Sequence, residues 1–212
     1  MWTIRKWRLR LPVLFFGWFA CSLVYYGVSL NPPDLRTGKY LYMFLGGVLE
    51  IPAYLMLWPA NKYIGRKKCM VILFFSCAVS ILGTLFVSLQ KNTGNMLQSF
   101  YVWLLVLSLI GKFAITAAFQ LLWIFSIELI PTEFRSVILG EASVCGKFGS
   151  FFSPYIVDLL REAKEWVPSA IFGGISLIAG CLMVFLPETR DQNLAESTEK
   201  TEIISKKVKE DQ

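Results

Sequence analysis

Six apolar runs, each long enough to cross a bilayer as a helix, dominate this 212-residue chain and fix its solvent. They are Leu11 to Leu30, Tyr40 to Ala60, Cys69 to Leu89, Phe100 to Ile130, Ser136 to Leu159 and Val167 to Leu186. Spanning ~30 Å of hydrocarbon takes about 20 residues of helix, and within lipid only helices and closed barrels satisfy their own backbone hydrogen bonds. The spacing therefore predicts an all-α membrane protein with six transmembrane helices. The fourth run exceeds the span and must tilt or protrude. The first is longer than the core of a signal peptide, and Asn31-Pro32-Pro33 follows it without a small-residue cleavage site.

Charge patterning sets the expected topology. Charged residues make up 17 % of the chain, below the roughly one quarter usual in soluble domains, and the mean hydropathy is +0.55. The net charge of +6 does not mark a nucleic-acid binder, because the Lys and Arg residues crowd between apolar runs instead of lining one polar face. With the N-terminus inside, ten basic residues fall on the inner side (Arg5, Lys6, Arg8, Arg10, Lys62, Arg66, Lys67, Lys68, Arg135, Arg190). Five (Arg36, Lys39, Lys91, Arg161, Lys164) fall outside, so the positive-inside rule puts both termini in the cytoplasm. Residues 1–10 then form a basic cytoplasmic segment, 11–187 the six-helix domain and 188–212 a polar, disordered cytoplasmic tail. The chain has no His, and its five Cys include no CxxC pair. No metal site, cofactor or enzymatic centre is expected, and the cysteines are expected to pack between helices.

Several stretches carry a family likeness: YYGVSLN at Tyr25 to Asn31, EIPAY at Glu50 to Tyr54, GKFAITAAF at Gly111 to Phe119, ELIPTEFR at Glu128 to Arg135 and FLPET at Phe185 to Thr189. Together they resemble the organic cation, organic anion and carnitine transporters of solute carrier family 22, in the major facilitator superfamily. The resemblance implies helices seven to twelve of such a transporter. The fold is then the C-terminal half of the major facilitator fold, two inverted three-helix repeats, whose partner is an N-terminal six-helix half.

Ionisable residues inside apolar runs are functional candidates, because each costs several kcal/mol unless paired or hydrated. Glu50 lies about eleven residues into the second run, near the midplane at ~1.5 Å per residue, and Lys147 lies at similar depth in the fifth. Pro52 and Pro154 follow them in their segments, as in kinked helices that bracket transporter sites. Two readings stand: a structural role, as a Glu50 to Lys147 ion pair or a backbone-bonded Glu50, or contact of one or both with substrate. The cation-selective family members resemble the Lys147 stretch but have Asp there, while anion and carnitine members have Arg. The resemblance thus implies a carboxylate-bearing substrate. Tyr54 stands where anion carriers have Lys, which favours a zwitterion.

Lys112 is expected toward the outer part of the fourth run, divided between structural pairing and substrate contact. Gln120, about two turns deeper, matches a polar cavity position of the cation carriers. Trp18 and Tyr25 lie in the family's W-F-x-x-S-x-x-Y pattern, and such aromatic faces attract quaternary ammonium groups. At the inner side, Asn61 to Lys68 resembles the superfamily loop D-R-x-G-R-R, with Lys62 replacing the Asp while Gly65, Arg66 and Lys67 remain. Arg66, Glu128, Arg135 and Glu188 are expected to form a charge cluster that latches the half on its cytoplasmic side, the alternative being solvated surface charges.

The expected function is alternating-access transport of small organic ions across the plasma membrane, carnitine-like zwitterions or anions ahead of simple cations. The alternatives are a six-helix regulatory form that pairs with full-length transporters, or an inactive fragment.

Overall fold

The computed structural model describes residues 5–30, 39–90, 98–130, 134–163 and 166–188. Within them lie six helices: α1 (Arg5–Leu30), α2 (Lys39–Tyr63), α3 (Arg66–Gln90), α4 (Gln98–Leu129), α5 (Arg135–Ala163) and α6 (Val167–Met183). The tail expected to be disordered lies, from residue 189 on, outside the described residues, as do residues 1–4 of the basic segment. Arg5 to Arg10 belong to the first turns of α1.

Each apolar run becomes a helix because its apolar residues form an unbroken stretch with helix-forming length. The loop between the second and third runs contracts to Ile64 and Gly65, so Arg66 and Lys67 start α3. Four helices, α1 to α4, are long and apolar enough to cross a membrane. The other two fall short of that measure. α5 carries Arg135, Glu141, Lys147, Asp158, Arg161 and Glu162, and α6 has 17 residues. Pro52, Pro59 and Pro154 sit inside their helices, each removing one backbone donor.

α1 packs most extensively on α5, and α3 lies between α4 and α6. α2 leans on α4, while α1 also touches α4 and α6. The buried centre is built by Leu14, Trp18 and Val24 of α1, Phe74 and Cys77 of α3, Ile115, Leu121 and Phe125 of α4, and Phe172 of α6. Three of the five cysteines, Cys21, Cys69 and Cys77, are buried, which agrees with a packing role. By contrast, α2 and α5 present wide apolar faces, with Phe44, Ile51 and Trp58 on one and Phe148, Phe151 and Tyr155 on the other all exposed.

The α1–α5 seam depends on small residues that let backbones approach. A Cβ on Gly149 would collide with the Phe19 carbonyl oxygen and come within 3.1 Å of the Leu23 nitrogen. Neither obstacle is a side chain that can rotate away. Gly149→Leu is therefore expected to force the helices apart and destabilise by about 1–3 kcal/mol or more. A fall in the thermal unfolding midpoint in lipid nanodiscs would register this, whereas an unchanged midpoint would mean the seam is not tight.

Candidate functional site

Three helices meet at a charged cluster in a mostly apolar interior. Tyr25 of α1 donates its hydroxyl to Glu50 Oε1 of α2 at 2.6 Å. Lys112 of α4 places its ammonium 3.5 Å from the same oxygen, 2.5 Å from Ser29 Oγ and 3.6 Å from the centroid of the Tyr25 ring. The Lys112 side chain is only 7 % exposed, and Glu50 is 26 % exposed. A lysine so enclosed needs the carboxylate, since isolated charge is costly in a low dielectric. Beside the cluster lies a cavity of about 260 Å³ reached by Ser29, Tyr42, Gly46, Gly47, Glu50 and Lys112. Tyr42 braces its wall by donating to the Val28 carbonyl at 3.2 Å and sharing a 2.8 Å hydrogen bond with Ser108.

This arrangement excludes one of the structural readings, the Glu50 to Lys147 pair. The reason is helix packing: α2 leans on α4, which carries Lys112, while α5 packs chiefly on α1. Lys147 is exposed and, among the described residues, has no carboxylate partner. It borders a second cavity of about 240 Å³ whose walls include Trp18, Ser22, Tyr26, Phe119 and Trp123.

An aromatic strip joins the two places. The Trp18 ring meets Trp123 edge-on at 4.4 Å and Phe119 at 6.1 Å between centroids. Phe119 stacks on Tyr25 at 5.8 Å, and Tyr25 meets Tyr26 edge-on at 5.3 Å. These separations suit aromatic pairs, so the strip is a packed wall. Trp18 is held in place from behind, because its indole N–H donates to the buried Ser126 hydroxyl at 3.0 Å.

Gln120 belongs elsewhere. It lies exposed in a groove of about 560 Å³ between α2 and α4, with Tyr54, Trp58, Asn61, Lys62 and Arg66. Of the candidates, then, Tyr25, Glu50 and Lys112 come together, Trp18 and Lys147 share a neighbouring cavity, and Gln120 is separate from both.

The expected charge cluster divides into two contacts. Arg66 Nη2 donates to Glu128 Oε1 at 2.7 Å, tying α3 to α4. Glu188, just beyond α6, instead accepts the backbone N–H of Lys67 at 3.2 Å, a charged cap on the first turn of α3. Gly65 makes this possible twice over: its φ is +93°, and a Cβ there would lie 3.1 Å from the Glu188 carboxylate. Arg135 sits near the start of α5 with Nε and Nη2 buried and without a hydrogen-bond partner among the described residues.

Sequence reasoning missed Ser29, Ser126 and the Tyr25 to Glu50 bond. Serine hydroxyls at helix-contact positions carry no signal in a single sequence. The tyrosine offered one, since a phenol in an apolar run needs an acceptor.

A family model described as "Sugar (and other) transporter" matches residues 15–200. The "Organic cation transporter protein" of Drosophila melanogaster is 36 % identical over 202 residues, 94 % of this chain and 35 % of that protein. "Solute carrier family 22 member 16" of Homo sapiens is 35 % identical over 93 % of this chain and 32 % of its own length. "Organic cation/carnitine transporter 2" of Homo sapiens is 30 % identical over 88 % of this chain and 32 % of its own length. The chain thus spans about a third of the length of the curated relatives it matches.

The cap of α3 yields a direct test. Gly65→Ala is expected to destabilise by about 1 kcal/mol or more, through strain at positive φ. Glu188→Ala should cost about 0.5–2 kcal/mol through loss of the cap, as read by unfolding in nanodiscs. Additive losses in the double variant would show that Gly65 and Glu188 do not act together.

Proposed function

Because the chain belongs to the sugar (and other) transporter family, we propose that it acts as the C-terminal half of a carrier of small organic ions. The carrier works by alternating access in the plasma membrane, and its substrates are carboxylate-bearing zwitterions or anions ahead of simple cations. The observation that carries the substrate class is Lys147, a cation without an ion-pair partner among the described residues, facing a cavity walled by aromatic rings. Such a charge attracts a carboxylate and repels a lone ammonium, by several kcal/mol at an intermediate dielectric. The aromatic strip running from that cavity to Tyr25 and Glu50 supplies faces on which the ammonium of a zwitterion can rest. Carnitine-like solutes have this shape, and one human relative carries the name of a carnitine transporter.

The helix contacts support the two-repeat arrangement. Exchanging α1 with α4, α2 with α5 and α3 with α6 turns the α1–α5 packing into α4–α2, and α3–α4 into α6–α1. Six spans follow if α5 crosses with its charges toward the second half and α6 is completed by the turns after Met183. The exposed apolar faces of α2 and α5 suit a six-helix partner, an N-terminal half. Arg66, Glu128 and the Glu188 cap hold the cytoplasmic ends of α3, α4 and α6 as one body during rocking. The same apolar faces also suit the second reading, pairing with a full-length transporter as a regulator.

Uptake in cells tests the substrate class, with the chain joined to an N-terminal half. Lys147→Asp should lower uptake of carboxylate-bearing substrates by about ten-fold or more while sparing simple organic cations. Normal surface expression with an unmoved substrate profile would refute the assignment. For topology, an epitope placed after Gln212 should stay hidden in intact cells and become visible on permeabilisation. Staining of intact cells would reverse the proposed orientation.

A further inference from the structure

We infer that Lys112 is the built-in occupant of an ammonium cage formed by Tyr25, Ser29 and Glu50, and that the alkylammonium group of a ligand binds there by displacing it. The inference rests on the proposed reading of Tyr25 and Glu50 as the cationic-group end of the substrate site. An aromatic face, a carboxylate and a hydroxyl oxygen are the groups that together bind an ammonium ion. Here all three already surround one: the Lys112 nitrogen is 3.6 Å from the Tyr25 centroid, 3.5 Å from Glu50 Oε1 and 2.5 Å from Ser29 Oγ. Tyr25 also orients the carboxylate through its own 2.6 Å hydrogen bond.

Two features distinguish an occupant from a fixed structural pair. The Lys112 to Glu50 separation of 3.5 Å is longer than a close charge-assisted hydrogen bond, in contrast to the 2.7 Å of Arg66 to Glu128. The lysine also has somewhere to go. Its stem runs over Gly46, where a Cβ would lie 3.9 Å from Lys112 Cε, and nothing lies within 4 Å of a Cβ on Gly47. The cavity of about 260 Å³ opens at these two glycines, so the arm can swing without moving a helix. Displacement exchanges one cation for another at Glu50, and the Lys112 ammonium takes water in place of the carboxylate at the open side of the cavity. A neutral or anionic head group cannot make that exchange, so the cage selects for ammonium while the lysine sets how tightly the ligand must bind to enter.

Tetramethylammonium chloride is the probe, titrated against the full chain in lipid nanodiscs with sodium chloride at matched ionic strength as the blank. The readout is the thermal unfolding midpoint. Lys112→Ala removes the arm and should lower the half-saturating concentration about ten-fold or more. Glu50→Gln combined with Lys112→Ala should abolish the response. Gly47→Leu, which fills the space the arm needs, should weaken the response of the otherwise unaltered chain but not that of Lys112→Ala. Should Lys112→Ala fail to fold, Lys112→Met keeps the side-chain volume. In the unaltered chain, saturating tetramethylammonium should raise acylation of the Lys112 amine, read by peptide mass spectrometry. Equal half-saturating concentrations with and without the lysine overturn displacement while leaving the ammonium end of the site standing. No response in any variant removes that end as well, an outcome separate from the carboxylate test at Lys147.

Discussion

A lysine buried in an apolar helix bundle needs an anion beside it, and much of this structure follows from how Lys112 finds one. Its stem lies in the interior of α4, and its partner oxygen comes from α2. Tyr25 of α1 then serves two purposes, presenting its ring to the ammonium and its hydroxyl to the carboxylate. Three helices that share little polar surface are thereby fixed in register at one point. Removing Lys112 or Glu50 leaves the other as a charge without its ion-pair partner, which is more costly than the net strength of the contact suggests.

Around that point the bundle is held by contacts of a different kind. Gly149 lets α5 meet the backbone of α1, and Trp18 is anchored from behind by Ser126. These contacts hold the aromatic strip still, so that its faces are presented without further ordering cost. At the other end, Glu188 caps α3 and Arg66 ties it to Glu128. The apolar faces of α2 and α5 stay outside these contacts and exposed.

The cluster and the Lys147 cavity differ electrostatically. One has its charge already neutralised by a neighbour, and the other has a cation with no ion pair among the described residues. Aromatic faces connect them. Gln120, which family likeness groups with the cavity, opens instead into the groove with Lys62 and Arg66, because it faces α2 and not α1.

The apolar runs alone determined six helices and their approximate limits, since a polypeptide with this hydropathy must satisfy its backbone within each segment. Residue depth likewise singled out Glu50, Lys112 and Lys147 as costly charges. What depth could not supply was partnership. Glu50 and Lys147 sit at similar heights, yet a pair forms only across helices that pack on each other, and α2 packs on α4. The role of Glu188 also depends on the fold: it caps a helix through Lys67, 121 positions earlier along the chain. Hydropathy is a property of each segment, and so the sequence carries it openly. Which side chains meet depends on the helix neighbours and the rotation of each helix, set by close contacts such as Gly149 on Phe19 that only the assembled bundle displays.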